Sequence, residues 1–416
     1  MKRRLIGIAA AGLTMVMALS GCGGGGSGGG DGKTIKFIAA KYSEKTQPYW
    51  QNLIKEFEAE NPGYQVNLEV VDWEQIDQKV KTLVQTRQEP DILNLNKFSD
   101  FARDGMLYSV DEAVSPQVKN DFLANFVEVG KYRGTQYGLP FISSARLFFY
   151  NKEIFAKAGL SAPPESWDEV KRYAQQIKAK VAGVYPLGLP LGAEESQAEF
   201  FMWAMNNGGG WVDASGEWAV NSPRNVETLT FLRDLTKSGL TQPNPETTNR
   251  KDVFNLFAQG KIGMLNGAVF MPTSFINPVN PNLRYGVAPL PSKDGATHNT
   301  LGVVDFLMAF KKDDGANKEA VSKFLDFCYA KENVAKFLED EGFLPVTRSA
   351  GEALNSDAYL KQFIDQLPNA KFAPTDDPAW QAVDGAAKQR LGTAVANTDP
   401  KAVLDQIQQT AEQNSE

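Results

Sequence analysis

Residues 34–70 read as strand, helix, strand. Ile35 and Phe37 alternate with Thr34 and Lys36, and Val66, Leu68 and Val70 alternate with Asn67 and Glu69, which is the period of a β-strand. Between them Trp50, Leu53, Ile54 and Phe57 fall at i, i+3, i+4 and i+7, one face of a helix, and Asn61-Pro62-Gly63 ends it. A β-α-β unit buries its sheet beneath helices, so the chain is directed to an α/β fold. A third strand is expected over 91–95. A helix over 317–329 would carry Ala320, Val321, Phe324, Leu325 and Cys328 on one face, which makes Cys328 a core thiol. Another begins at Ser166, where Ser166-Trp167-Asp168-Glu169 reads as a capping box: Ser166 takes the third amide and Glu169 reaches back.

The first 32 residues are of another kind. Lys2, Arg3 and Arg4 precede an apolar run over 5–18, then Leu19-Ser20-Gly21-Cys22. This reads as a cleaved export signal over 1–22, since the run falls short of the roughly 20 residues that span a bilayer. A cysteine directly after Leu-Ser-Gly resembles the bacterial lipobox, which implies that Cys22 becomes the acylated first residue of the mature protein. Acyl chains would hold it on the outer face of the cytoplasmic membrane. Residues 23–32, all Gly but for Ser27 and Asp31, form a flexible tether.

Composition limits the chemistry. A chain of 416 residues exceeds what one hydrophobic core usually serves, so two lobes are expected. The formal charge is −7, of which Lys2, Arg3 and Arg4 supply +3, leaving −10 after the signal; that argues against nucleic acid as partner. Two cysteines, one of them Cys22, leave no intrachain disulfide. His298 is the single histidine and sits in a polar stretch that reads as an exposed turn, so a Ser/His/Asp centre has little to build on. Metal sites of His and Cys are excluded by count, no phosphate loop is present, and no cofactor is expected. Paired carboxylates, as in a glycoside hydrolase, remain open, though no pair stands out.

Tyr137-Gly138-Leu139-Pro140, Phe148-Phe149-Tyr150-Asn151-Lys152, Phe155, Ala158-Gly159-Leu160 and 163–169 together resemble the signature of the family 1 extracellular solute-binding proteins. Pro90-Asp91-Ile92 with Asp104-Gly105-Met106-Leu107, the run 257–264, and Gly342-Phe343-Leu344-Pro345-Val346 continue the resemblance in order over 33–415. It implies the two-lobe fold of type II periplasmic binding proteins, with discontinuous lobes joined by hinge strands. Crossings are expected near 141–144, 298–301 and 342–345, giving one lobe of 33–142 with 298–343 and another of 143–297 with 344–416. The implied function is that of a monomeric receptor for an ABC importer, which captures a small carbohydrate and delivers it to the membrane permease without being an enzyme.

A sugar offers apolar C–H faces and hydroxyl edges, so its cleft needs aromatic platforms and side chains with two hydrogen-bonding atoms. Tyr42 and Glu44 follow the first strand, Asn94 and Asn96 end the third, and Asp305 interrupts an apolar strand. Trp380 falls where the family often has a platform, and Glu199, Phe200 and Trp203 open a helix of the second lobe. Trp50 and Trp167 lie on apolar stripes and are packing residues, while Trp73 either lines the cleft or covers the sheet. The family's Gly-x-Trp platform is missing at 266–270, leaving Asn266 as a polar contact and Phe270 or Phe306 as replacement rings. Arg146 and Arg348 keep an anionic sugar derivative or another polar solute open.

Overall fold

The computed structural model describes residues 33–312, 315–354 and 357–415; the signal, Cys22 and the tether lie outside the described residues. The strands that matter here are β1 (Thr34–Lys41), β2 (Gln65–Asp72), β3 (Ile92–Leu95), β4 (Leu139–Ser144), β5 (Arg146–Asn151), β6 (Tyr185–Gly188), β7 (Ile262–Ala268), β8 (Tyr285–Ala288) and β9 (Val303–Ala309). They build a five-stranded sheet in the order β2-β1-β3-β9-β4 and a four-stranded sheet in the order β8-β5-β7-β6. In the first, β1 runs parallel to β2 and β3, whereas β9 returns antiparallel between β3 and β4.

The helix between β1 and β2 is α1 (Thr46–Glu60), and it buries the stripe read from its sequence. Trp50 stacks on Phe141 at 5.3 Å and meets Phe37 edge-on at 4.7 Å. Such aromatic pairs each add about 0.5–1.5 kcal/mol beyond the area they bury, so they fix α1 on the sheet. The helix Lys318–Cys328 covers the same face, with Cys328 buried and its thiol pushed well up by desolvation. The helix Trp167–Lys180 is capped by Ser166, which accepts the Glu169 N–H at 3.3 Å. Its Glu169 carboxylate reaches one residue further back than a capping box requires, to the Glu165 N–H at 2.9 Å.

The chain passes from the first sheet to the second at Ala145, between β4 and β5, and returns at Gly302 just before β9. Val303 pairs with Ser144, and the Arg146 N–H donates to Thr300 Oγ1 at 3.0 Å, so the two crossing segments run side by side. Gly302 is required there: the Phe372 ring occupies the space a Cβ would take. Leu344 bridges Ser143, and the helix Arg348–Leu354 then stays with the first sheet, where Ser349 bonds Asp121 at 3.2 Å. Beyond it Tyr359 reaches the second sheet's side, donating to the Val269 carbonyl at 3.0 Å. Residues 344–354, expected with the second lobe, therefore pack on the first.

Candidate functional site

The two sheets face each other across a cleft of about 340 Å³. From the first lobe Tyr42, just past β1, donates its hydroxyl to Asp305 Oδ2 at 2.8 Å, with Asn94 Oδ1 at 3.1 Å. Asp305 stands where the pairing of β9 with β4 slips by one residue, and such a bulge re-aims a side chain that regular alternation would place otherwise. Its Oδ1 has no hydrogen-bond partner among the described residues. Burial pushes its carboxyl up to about 6, against the lowering effect of the Tyr42 bond. Trp73 opens α2 (Trp73–Gln85), lines the cleft and meets Tyr42 edge-on at 5.8 Å.

The second lobe contributes a chain of charges. Arg146, at the start of β5 and 2 % exposed, lies 3.1 Å from Glu195 Oε1 and also bonds Ser144. Glu195 Oε2 receives Arg250 at 2.6 Å, and Arg250 in turn reaches Glu194 at 2.7 Å. Glu194 and Glu195 precede α3 (Ser196–Met205), and Arg250 is the first residue of α4 (Arg250–Ala258). A cation at a helix N-terminus opposes the helix dipole, and Glu194 relieves this by also accepting the Lys251 N–H at 3.2 Å. Burial raises the Glu195 carboxyl, but Arg250 and Arg146 outweigh it and hold the group below its ordinary value. Both guanidiniums lie over the Phe270 ring, each 5.6 Å from its centroid.

A smaller chamber of about 70 Å³ adjoins the cleft, sharing Asn96, Glu195, Gln197 and Val303 with it; Phe201, Trp211, Phe306, Phe372 and Trp380 supply its aromatic walls. At its side the lobes meet through four charges. Lys97 lies 2.8 Å from Asp77 on its own lobe and 2.9 Å from Asp384 across the gap, while Lys388 lies 3.1 Å from Asp77 and 3.2 Å from Asp384. Asp384 and Lys388 belong to α5 (Trp380–Ala396). Among the described residues no group of three or more His, Cys, Asp or Glu is placed to hold a metal ion.

The family model of bacterial extracellular solute-binding proteins matches residues 41–335. A putative binding protein of Brucella abortus (strain 2308) is 35% identical over 380 residues, covering 90% of this chain and 91% of that one. The chain belongs to the bacterial extracellular solute-binding proteins. Among solved structures, an ABC transporter solute-binding protein of Thermotoga lettingae, bound with α-D-tagatose, superposes with a TM-score of 0.80 at 23% identity, covering 92% of this chain and 100% of that one. The sn-glycerol-3-phosphate-binding periplasmic protein UgpB of Agrobacterium fabrum is 29% identical over 310 residues, 70% of this chain and 69% of that one. These relatives are named as binding proteins, and the hydrolase alternative finds no support among them.

In this solute-binding protein the residues singled out from sequence separate into two groups. Tyr42, Glu44, Asn96, Arg146, Phe270 and Asp305 line the cleft, and Phe306 and Trp380 line the smaller chamber. Trp380 is 4 % exposed and stacks on Trp218, so it is more a wall than an open platform. The others lie elsewhere. Asn94 is buried, its amide donating to the Phe306 carbonyl at 3.1 Å. Glu199 accepts from Trp203 Nε1 at 2.8 Å and from Asn266 Nδ2 at 2.9 Å, which ties all three into a polar cluster behind the wall. Phe200 packs on Trp211 in the core at 5.6 Å. Arg348 is exposed and bonds the Asn120 carbonyl, well apart from the residues of the cleft. His298, expected to be exposed, is half-buried with Nδ1 2.8 Å from the Leu290 carbonyl.

Sequence reasoning passed over Glu194, Glu195, Gln197 and Arg250. The signal for Arg250 was available: Arg250-Lys251 opens an apolar helix, where positive charge needs an acidic partner. Nothing local pointed to Glu194-Glu195 as that partner, because they lie more than fifty residues away in the chain.

Proposed function

We propose that this receptor captures a small carbohydrate, a mono- or oligosaccharide, between its lobes and delivers it to the permease of an ABC importer. The observation that carries the reading is the meeting of hydroxyl-binding side chains from both lobes, Tyr42, Asn96 and Asp305 with Arg146 and Glu195, in one cleft walled by Phe270. Carboxylates, amides and guanidiniums each offer paired hydrogen-bonding atoms to vicinal hydroxyls, while an aromatic ring takes the C–H face. The tagatose held by the Thermotoga protein is in keeping with this.

Solute contacts to both lobes favour the closed arrangement, so binding would shift an open-to-closed equilibrium that the permease reads. We assign 33–144 with 303–354 to the first lobe and 145–302 with 357–415 to the second, the protein acting as a monomer. Cys22 carries the acyl chains and 23–32 the tether, placing the receptor on the outer face of the cytoplasmic membrane.

The test is a thermal screen of protein lacking residues 1–22, refolded to strip solute, against neutral saccharides. A solute at a hundredfold excess over Kd stabilises by about 2.7 kcal/mol, a readily measured rise in Tm. A panel of saccharides that leaves Tm unmoved would remove the carbohydrate reading, and a Cys22→Ser protein that stays with the membrane would remove the anchor.

A further inference from the structure

The charges of the deep cleft are already spent on each other. Arg146 and Arg250 share Glu195, Arg250 also holds Glu194, and Lys388 is engaged by Asp77 and Asp384. Of the cations nearer the rim, Lys41 pairs with Glu44 at 2.8 Å and Lys251 is solvent-exposed, where attraction for an anion is weak. The deep wall thus presents two guanidiniums and two carboxylates in one connected chain, with the Asp305 carboxylate added. An anionic ligand would have to draw a guanidinium away from Glu195, leaving that buried carboxylate with a single cation beside a second negative charge, and that desolvation is costly.

The unpartnered atoms point the same way. Asp305 Oδ1, Asn96 Oδ1 and Gln197 Oε1 are buried in the cleft wall without a hydrogen-bond partner among the described residues, against one such donor, Arg250 Nε. The amides can present either end, but the Asp305 carboxylate only accepts. A surface richer in acceptors than donors fits a ligand that brings O–H groups and no charge.

We infer that the cleft selects an uncharged, hydroxyl-rich solute over its phosphorylated or carboxylated counterpart, and that Glu195 sets this selectivity by holding both guanidiniums. This rests on the carbohydrate reading above and decides between neutral and anionic members of that class. Glu195 is a specificity residue in two ways: it occupies the cations an anion would need, and it keeps them oriented over Phe270 for neutral hydroxyls.

The experiment is calorimetric titration of solute-free protein with matched pairs: glucose and glucose 6-phosphate, fructose and fructose 6-phosphate, glucose and glucuronate, glycerol and sn-glycerol 3-phosphate. For the pair that binds, the neutral member is expected to be favoured at least a hundredfold. Glu195→Gln, which frees a positive charge, should narrow that ratio at least tenfold, and Asp305→Asn should narrow it through lost repulsion. Should either variant fail to fold by circular dichroism, the wild-type ratio alone decides. A phosphate ester or uronate bound as tightly as its neutral parent overturns the inference while leaving a receptor for sugar derivatives. A ratio unmoved in both folded variants overturns the role of Glu195. Silence toward every member of this panel and of the saccharide screen above removes the carbohydrate reading and this inference with it.

Discussion

The Lys97 ammonium of the first lobe stands 2.9 Å from the Asp384 carboxylate of the second, and both side chains are at most 5 % exposed. With Asp77 and Lys388 they close a ring in which every acid touches a base from each lobe. Each lobe carries one acid and one base here, so parting the lobes leaves two neutral pairs, Asp77 with Lys97 and Asp384 with Lys388. The lobe–lobe contacts Lys97–Asp384 and Lys388–Asp77 are what closure adds. Burial pushes the Asp77 carboxyl up, but Lys97 and Lys388 outweigh it and bring it down to about 2, so Asp77 stays charged throughout the physiological range.

Lys97→Met should therefore weaken closure. Removing one partner of a buried pair costs about 3–5 kcal/mol when nothing replaces it, but Asp384 keeps Lys388, so a smaller loss is expected, about 1.4–2.8 kcal/mol or a 10- to 100-fold rise in solute Kd. Small-angle scattering of the solute-saturated protein should show a larger radius of gyration than wild type at equal solute. An unchanged Kd with an unchanged scattering profile would show that the ring does not govern closure.

Phe270 carries two guanidiniums on its ring and is 8 % exposed at the cleft wall. Phe270→Ala removes the flat face and lets both arginines relax, and roughly a tenfold loss of solute affinity is expected, about 1.4 kcal/mol. Phe270→Trp, which restores a ring, should hold affinity within a few-fold. Titration well below the Tm of each variant separates this from the packing lost against Phe254, Phe275 and Phe343.

The two arginines named from sequence should behave oppositely. Arg348 is exposed and bonded to a backbone carbonyl of the first lobe, so Arg348→Ala should leave Kd within twofold of wild type. Arg146 is buried, and its removal strands Glu195 with one guanidinium; Arg146→Ala should cost at least 2 kcal/mol of solute binding, about thirtyfold. Equal effects of the two substitutions in calorimetry would refute this placement of the cleft.

The contrast shows what a sequence can carry. The β1-α1-β2 unit was legible because its information is local: alternation in the strands, where Ile35, Phe37 and Val66 are buried and Leu68 and Val70 half-buried, and a 3–4 spacing in the helix, whose stripe is buried. Tyr42, Asn96 and Asp305 were legible as polar residues at strand ends or inside an apolar strand, where burial needs a partner. The ion pairs were not, because Arg146–Glu195 and Arg250–Glu194 join residues 49 and 56 positions apart, and Lys97–Asp384 joins residues 287 apart. Conversely Glu199 and Asn266 looked like solute contacts since they are polar beside the cleft's elements, yet they satisfy each other behind its wall. Polarity told which side chains needed partners, and only the packing of α3 against β7 told which partners they found.

Glu199 offers the sharpest test of that last point. It is 3 % exposed, and burial raises its carboxyl to about 8 from 4.5, despite the bonds donated by Trp203 and Asn266. Between those two values the native state holds a proton that the unfolded chain has released, so stability falls as pH rises through the window and the cost is complete above about 8. Every tenfold change in proton affinity between the folded and unfolded chain is worth about 1.4 kcal/mol, so at pH 8 the buried carboxylate costs on the order of a few kcal/mol. Glu199→Gln keeps an oxygen to accept from Trp203 and Asn266 and carries no charge. It should raise Tm at pH 8, change it little at pH 5, and flatten the decline between them relative to wild type, with solute affinity at pH 7 within a few-fold because the residue lies behind the cleft. Thermal melts of both proteins in a buffer series from pH 5 to 8 measure this, and parallel curves would mean that Glu199 titrates as an ordinary carboxylate.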